Sequence, residues 1–321
     1  MELAIRTEHL TKIYSQRLIA VNDMNLEVPQ GSVFGLLGPN GAGKTTMLRL
    51  LLGLQRPTAG RAEVFGKTCG PSAISVRSKV GYLPTNPTFP GNLRPIEYLD
   101  LLGKLSRLPR QIRKPRISAL LRAVGLLGAT DQRIGTFSTG MCTRLGIAAA
   151  LVADPPLLLW DEPTAGLDPA ARRFTLDLMR ELGRTKTVVV ATHILSDIDQ
   201  ICDHLGVMHE GRMIFTGSMD DMRRRLGSDD FTLELEGDIE DVRRLAGGLG
   251  RLEATEAWSG ADGVLIVRIS EGHSRAGALG EVLKVVESSG IPLRALHSGR
   301  NATENAYLQL LKEDEAHGFQ R

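Results

Sequence analysis

Three stretches of the chain have residue types and spacing suited to a polyphosphate. The first is Gly38-Pro39-Asn40-Gly41-Ala42-Gly43-Lys44-Thr45-Thr46, which fits the spacing G-x-x-x-x-G-K-[ST]. Its glycines carry no Cβ, so backbone N–H groups can curl around an anion. Lys44 would then reach the β- and γ-phosphates, and the Thr45 hydroxyl would ligate Mg²⁺. The second stretch is Leu157-Leu158-Leu159-Trp160-Asp161-Glu162, two carboxylates at the end of an apolar run. Asp161 would hold Mg²⁺, directly or through water, and Glu162 would orient or deprotonate an attacking water. The third, Thr187-Val188-Val189-Val190-Ala191-Thr192-His193, sets an imidazole at the end of a β-branched run. There it could hydrogen-bond the γ-phosphate or the water. His9, His204, His209, His273, His297 and His317 have no such setting and read as structural.

These residues need particular elements to bring them together. Ser32–Leu37 reads as a buried strand and Thr46–Leu52 as a helix, so the loop has the strand–loop–helix context it requires. The helix N-terminus would point its positive dipole end at the same phosphates. Four apolar residues before Asp161 suit a central parallel strand, covered on both faces. Its carboxylates then sit at the C-terminal edge of the sheet, where doubly wound folds bind ligands. Upstream, strands are expected near 3–7 and 18–28, as an antiparallel edge to the main sheet, with Tyr14 in the turn region between them. An aromatic ahead of a phosphate loop either stacks on a purine base or simply packs. Further strands are expected at 61–65 and 79–83.

Proline-rich 84–92 reads as a loop. A helical region is expected from Pro95 to Leu108, stopped by Pro109 and resumed from Pro115 to Leu127. No acidic residue lies between Asp100 and Asp131, whereas Lys104, Arg107, Arg110, Arg113, Lys114, Arg116 and Arg122 do. The run over 104–122 reads either as a solvated helical face or as a contact with an anionic membrane surface. From about Ser228 a new pattern begins. Strands are expected over Phe231–Leu235, Gly263–Ile269 and 291–297, and helices over Asp238–Ala246, 274–289 and 303–313. No catalytic cluster is visible in that tail.

The chain's 321 residues suffice for two ordinary domains, and 42% hydrophobic with 24% charged residues describe a folded protein rather than a disordered one. A net charge of +2 gives no case for nucleic acid as partner. Cys69, Cys142 and Cys202 are isolated, which suggests neither a metal cluster nor a disulfide framework and suits a reducing cytoplasm. The N-terminus lacks a signal-peptide core, and the apolar stretch near Leu145–Trp160 is broken by Asp154-Pro155-Pro156. Any service to a membrane is therefore expected from its surface.

In this order the motifs resemble the nucleotide-binding subunit of ABC transporters, over about residues 3–220. Phe137-Ser138-Thr139-Gly140-Met141 stands where that family has its signature loop, usually Leu-Ser-Gly-Gly-Gln. Ser138 and Gly140 match it; Thr139 and Met141 do not. Thr164-Ala165-Gly166-Leu167-Asp168 looks like the D-loop, His193 falls at the switch histidine, and Tyr14 falls at the adenine-stacking aromatic. The resemblance implies an α/β P-loop NTPase core over 1–227, with an antiparallel edge sheet and an inserted helical subdomain at about 85–145. A small C-terminal α+β domain over 228–321 would follow, similar to the extension on ABC-2 type exporter ATPases. It further implies ATP and Mg²⁺ as ligands, with each ATP sandwiched between two subunits. In that sandwich Ser138 and Gly140 of one chain, on a helix beginning near Cys142, would meet the γ-phosphate held by the other. A homodimer or a heterodimer with a related chain would serve a separate integral-membrane permease, at the cytoplasmic face of the membrane. The tail would be regulatory or dimer-stabilising.

One departure concerns the glutamine that the family usually places after a segment like Gly81-Tyr82-Leu83-Pro84, where it contacts Mg²⁺. Here Thr85 and Asn86 follow. Either Asn86 substitutes from one position away, or Thr85 makes a looser contact with its shorter hydroxyl. A soluble ABC ATPase acting on ribosomes or DNA is the alternative. Its ribosomal members usually carry two phosphate loops, and chromosome and repair members a long coiled coil between the motif halves. One loop is present here, and the stretch from Thr46 to Phe137 lacks sustained heptads.

Overall fold

The structure, a computed structural model, describes residues 2–15, 18–225, 230–250, 252, 255–259, 264–269, 273–298, 303, 307–308, 310–311 and 313–314. The chain divides into two compact units, one running to Met219 and rejoined at Asp314, the other Asp220–Glu313.

The first unit opens with β1 (Leu3–Ser15) and β2 (Leu18–Pro29), an antiparallel pair. Next come β3 (Val33–Leu37), α1 (Lys44–Leu51), β4 (Ala59–Val64), β5 (Lys67–Thr68), the short α2 (Ile74–Arg77) and β6 (Val80–Leu83). Three helices follow, α3 (Pro95–Leu105), α4 (Arg110–Ala123) and α5 (Thr139–Leu151). The chain then alternates through β7 (Leu157–Asp161), α6 (Pro169–Gly183), β8 (Thr187–Thr192) and α7 (Leu195–Ile201), before β9 (His204–His209) and β10 (Arg212–Ser218).

A six-stranded sheet in the order β10-β9-β3-β8-β7-β6 carries the unit. Its strands from β9 to β6 are parallel, and β10 returns antiparallel to β9. Every residue of β3, β7 and β8 is buried, because both faces of the sheet are covered. Their two-residue period sorts the side chains into separate cores. Phe34, Leu36, Leu157, Leu159, Val189 and Ala191 pack with α1 and the β1–β2 pair. Val33, Leu158, Trp160, Val188 and Val190 pack on the other face, with residues of α5 and α6.

Several local expectations are corrected. β1 and β2 do not extend the parallel sheet. They join β4 and β5 in a separate sheet, ordered β2-β1-β4-β5, whose buried Ile5, Leu10, Met24 and Leu26 belong to the α1-side core. β1 also runs on to Ser15, so Tyr14 is a strand residue and not a turn residue. α3 stops at Leu105 rather than Leu108: Arg107 is left-handed (φ 57°), and the Leu108 N–H turns back to the Gly103 carbonyl at 2.9 Å. α4 starts at Arg110, with Pro109 as its cap and Pro115 inside it. It ends before Leu127, because Gly125 is left-handed (φ 70°) and the Leu126 N–H bonds the Leu121 carbonyl. α5 begins at Thr139, three residues before the expected start, because the Ser138 hydroxyl accepts from the Met141 N–H at 3.3 Å and caps the helix. Of the basic run, Arg113 is buried, donating to Asp100 and to the Leu108 carbonyl. Arg116 donates to the Val152 carbonyl.

After α8 (Met219–Arg225), the second unit contains β11 (Asp230–Leu235), α9 (Ile239–Leu249), β12 (Thr255–Ser259), β13 (Val264–Ile269), α10 (Arg275–Ser289) and β14 (Leu293–Ser298). Its strands form an antiparallel sheet ordered β12-β13-β11-β14. Leu233, Leu265 and Val267 pack against Val242, Leu249 and Val282 of the two longer helices. β12 was not anticipated. It pairs along β13 and has few large apolar residues to announce it. The helix expected over 303–313 is helical at its described positions, and the rest of that range, like His317, lies outside the described residues.

Candidate functional site

The phosphate-loop residues join β3 to α1 through a turn that tolerates only glycine at two points. Gly43 is left-handed (φ 102°), and a Cβ there would lie 2.1 Å from the Ala20 carbonyl oxygen. A Cβ on Gly38 would lie 2.3 Å from the Met208 carbonyl oxygen, at the end of neighbouring β9. The loop is thus wedged between β2 and β9, and Lys44 opens α1 at the bottom of it. Lys44 is buried, its Nζ donating to the Gly38 and Pro39 carbonyls at 2.7 and 3.1 Å.

The parallel register brings the ends of β7 and β8 beside this loop. Asp161, 1% exposed, accepts from the Thr45 hydroxyl at 2.8 Å through Oδ2, while its Oδ1 is buried without a hydrogen-bond partner. Burial pushes the Asp161 carboxyl above its usual range, and the Thr45 and Thr85 hydroxyls pull it back down. A buried carboxylate oxygen with nothing donating to it is a costly arrangement that a cation would relieve. Thr45 and Asp161 are hard oxygen donors of the kind Mg²⁺ takes, so the residues present fit that ion.

Glu162 follows in the left-handed region (φ 50°), its N–H bonded to the Ala191 carbonyl at 2.8 Å. That turn brings its carboxylate toward β8. Oε2 meets the His193 Nδ1 at 2.9 Å and accepts from the Thr192 hydroxyl at 3.2 Å, while Oε1 is 3.4 Å from Lys44 Nζ. Glu162 is 11% exposed and His193 43%. The carboxylate is therefore held by protein on one side, with an imidazole reaching outward on the other.

A cavity of about 620 Å³ lies over the loop, lined by residues including Asn40–Thr46, Asp161, Glu162, Thr85 and Tyr14. The Tyr14 hydroxyl donates to Gln55 Oε1 at 2.6 Å, and Lys12 Nζ lies 5.4 Å from its ring centroid. Thr85 donates to the Asp161 carbonyl at 3.3 Å. Asn86, by contrast, is exposed, left-handed (φ 49°) and not part of the lining, so of the two residues standing at the glutamine's place only Thr85 reaches the site. Ser138, Gly140 and Asp168 are also outside this lining. The first two open α5, and Asp168 caps α6 by accepting the Ala171 N–H at 2.8 Å. A Cβ on Gly140 would meet Leu167 at 3.9 Å, so the opening of α5 lies beside the Thr164–Asp168 loop.

Several lining residues escaped the sequence reading, Ile19, Glu210, Arg49 and Tyr82 among them. Ile19, 47% exposed, stands at the start of β2, and Glu210 occupies the β9–β10 turn. That turn is tied to the loop where the Gly211 N–H donates to the Ala42 carbonyl at 3.1 Å. Arg49 and Tyr82 share the wall near Asp161; burial and the Asp161 charge push the Tyr82 hydroxyl up, and the Arg49 guanidinium opposes this. An exposed isoleucine at a strand start is the single one of these signals that sequence could have offered.

The geometry joins a phosphate loop, a carboxylate pair and a histidine at one sheet edge. Residues 21–165 match the family described as ABC transporter. The bacitracin transport ATP-binding protein BcrA of Bacillus licheniformis is 32% identical, over 97% of this chain and 98% of that protein. The daunorubicin/doxorubicin resistance ATP-binding protein DrrA of Streptomyces peucetius is 33% identical, over 96% and 92%. Among solved structures, an ATP-binding subunit of an ABC transporter superposes with a TM-score of 0.64 at 29% identity, covering 70% of this chain and 93% of that one. By its site and its full-length relatives, the chain belongs to the ABC transporter family, as an ATP-binding and ATP-hydrolysing subunit of the branch that includes these two.

Proposed function

We propose that this ATPase powers export through a separate membrane permease, with two nucleotide-binding subunits closing over each ATP. The observation that carries the reading is the Lys44–Glu162–His193 cluster at the phosphate loop, where one carboxylate bridges a cation 3.4 Å away and an imidazole 2.9 Å away. The ATP base lies on Tyr14 and its phosphates over Gly38–Thr46, where loop amides and the α1 N-terminus supply positive potential. Lys44 exchanges its carboxylate neighbour for phosphate oxygens. Glu162 then takes a proton from the attacking water, which is worth roughly 10²–10⁴ in rate for a well-placed base. His193 orients that carboxylate and the water. Water's oxygen bonds the γ-phosphorus, the bond to the leaving ADP oxygen breaks, and ADP and phosphate result. Mg²⁺, held by Thr45 and Asp161 with Thr85 beside them, neutralises phosphate charge when bound.

Ser138 and Gly140 line no part of their own chain's cavity. In this reading they serve the other subunit's γ-phosphate, with the α5 N-terminus adding its dipole. Export is supported by the resemblance to BcrA and DrrA, which spans nearly the whole chain and so takes in the C-terminal unit. In this reading that unit has a regulatory or dimer-stabilising role. Among the described residues no helix is long and apolar enough to cross a membrane, which leaves the spanning work to the permease. Arg107, Arg110, Lys114 and Arg122 are exposed, and in this reading the basic run over 104–122 meets anionic head groups through them.

Glu162→Gln keeps the side chain's shape and removes its basicity. The full-length variant is expected to bind ATP and to lose at least about 100-fold in turnover, the lower bound for a general base. Copurification with a membrane permease tests the coupling. Wild-type turnover by Glu162→Gln, or ATPase stimulation by ribosomes or DNA in place of a permease, would overturn the reading.

A further inference from the structure

The connection from β7 to α6 carries Glu162 at one end and Asp168 at the other. Its apex, Ala165–Leu167, turns through left-handed Gly166 (φ 70°), with the Ala165 N–H donating to the Glu162 carbonyl and the Leu167 N–H to the Thr164 carbonyl, each at 3.3 Å. Both stems of the apex are held by one carboxylate from α7. The Thr164 hydroxyl donates to Asp197 Oδ2. Arg172, in the first turn of α6, donates from Nε to Asp197 Oδ1 at 2.8 Å, with Nη2 2.6 Å from the same oxygen. Nη2 also donates to the Ser196 hydroxyl at 2.7 Å.

Asp197 is 1% exposed and Thr164 2%. A carboxylate this deep is costly to desolvate, so its retention depends on the charge-assisted bonds that meet it. The same stretch of chain, a few residues earlier, grips Glu162 through Thr192 and His193. Residues 192–197 therefore hold the 162–172 connection at Glu162, Thr164 and Arg172. Loosening the last two would let the turn that aims Glu162, and the loop ending in Asp168, move independently of His193.

We propose that Asp197 is a positioning residue for ATP hydrolysis. By fixing Thr164 and Arg172 it ties the Glu162 turn and the Asp168 loop to the histidine segment. This rests on the assignment of Glu162 as base, so Glu162→Gln accompanies every measurement.

The test compares Asp197→Asn, Arg172→Gln, Arg172→Lys and Thr164→Val in the full chain. It reads kcat and KM for Mg-ATP, the Kd of a fluorescent ATP analogue, and Tm. Arg172 is 34% exposed, so Arg172→Gln keeps the test alive if Asp197→Asn does not fold. Asp197→Asn and Arg172→Gln are expected to lower kcat about tenfold or more while nucleotide Kd stays within about twofold, the split that marks a loss confined to the transition state. Arg172→Lys should recover part of the loss. Adding Thr164→Val to Asp197→Asn should cost little more, because residues acting as one unit are not additive. Wild-type kcat in Arg172→Gln, or kcat, affinity and Tm falling together, would overturn the proposal while leaving an inactive Glu162→Gln unaffected. Normal turnover in Glu162→Gln would remove the base assignment, and this proposal with it.

Discussion

The Thr45–Asp161 contact allows a prediction whose size follows from the geometry. Thr45→Val keeps the side chain's volume and removes the hydroxyl that donates to Asp161 Oδ2 at 2.8 Å. Because Oδ1 already has no hydrogen-bond partner and the residue is 1% exposed, the variant removes the donor nearest this carboxylate, leaving Thr85 on the Asp161 carbonyl. A hydrogen bond to a charged group contributes about 1.5–3 kcal/mol, so the folded-to-unfolded ratio should fall roughly 10- to 150-fold. At about 2–4 °C per kcal/mol for a unit of this size, Tm should drop by roughly 3–12 °C in nucleotide-free buffer with chelator. Thr45→Ser retains the donor and should lose far less. Replacing both partners, Thr45→Val with Asp161→Leu, should recover much of the lost Tm, since two apolar groups leave nothing unsatisfied. The double variant should nevertheless have no Mg²⁺-dependent turnover. The reasoning is refuted if Thr45→Val matches wild type in scanning calorimetry, if the serine variant loses as much, or if the double variant is the least stable of the three.

Two further outcomes are expected. Tyr14→Ala should weaken ATP by the stacking energy of a base on an aromatic, about 1–3 kcal/mol or roughly 5- to 150-fold in Kd, whereas Tyr14→Phe should bind within a few-fold despite losing the bond to Gln55; equal losses in fluorescence titrations would exclude stacking. Burial pushes the Cys69 thiol up to about 12, so at pH 8 only about one molecule in 10⁴ carries the thiolate, and native Cys69 should alkylate roughly 10³-fold more slowly than a peptide cysteine, as read by mass spectrometry.

Much of the fold was legible because its strongest signals are local. Uninterrupted runs such as Leu157–Trp160 and Val188–Val190 satisfy a strand covered on both faces, and the loop's glycines, lysine and threonines carry their geometry in their spacing. Where expectations slipped, a cap or a pairing partner decided the outcome. Ser138 starts α5 three residues before the expected Cys142. Arg107 closes α3 in a left-handed conformation ordinarily left to glycine. Pro115 sits inside α4, a position that removes one backbone donor and is normally disfavoured. Tyr14 is a strand residue because β2 pairs with β1 out to Ser15.

By itself the sequence determined which chemistry was available: a phosphate loop, the Asp161-Glu162 pair and a histidine at a strand end, each recognisable within a few residues because strand, turn and helix N-terminus are local structures. Only the tertiary structure decided which groups share a site. It placed Thr85 at the Asp161 carbonyl and left Asn86 in solvent. It brought Glu210 and Arg49 to the cavity wall, and it buried Asp197 between Thr164 and Arg172. Those contacts join segments tens to more than a hundred residues apart, set by strand order and helix packing. No pattern of neighbouring residues encodes a distance between strands that meet only when the sheet forms.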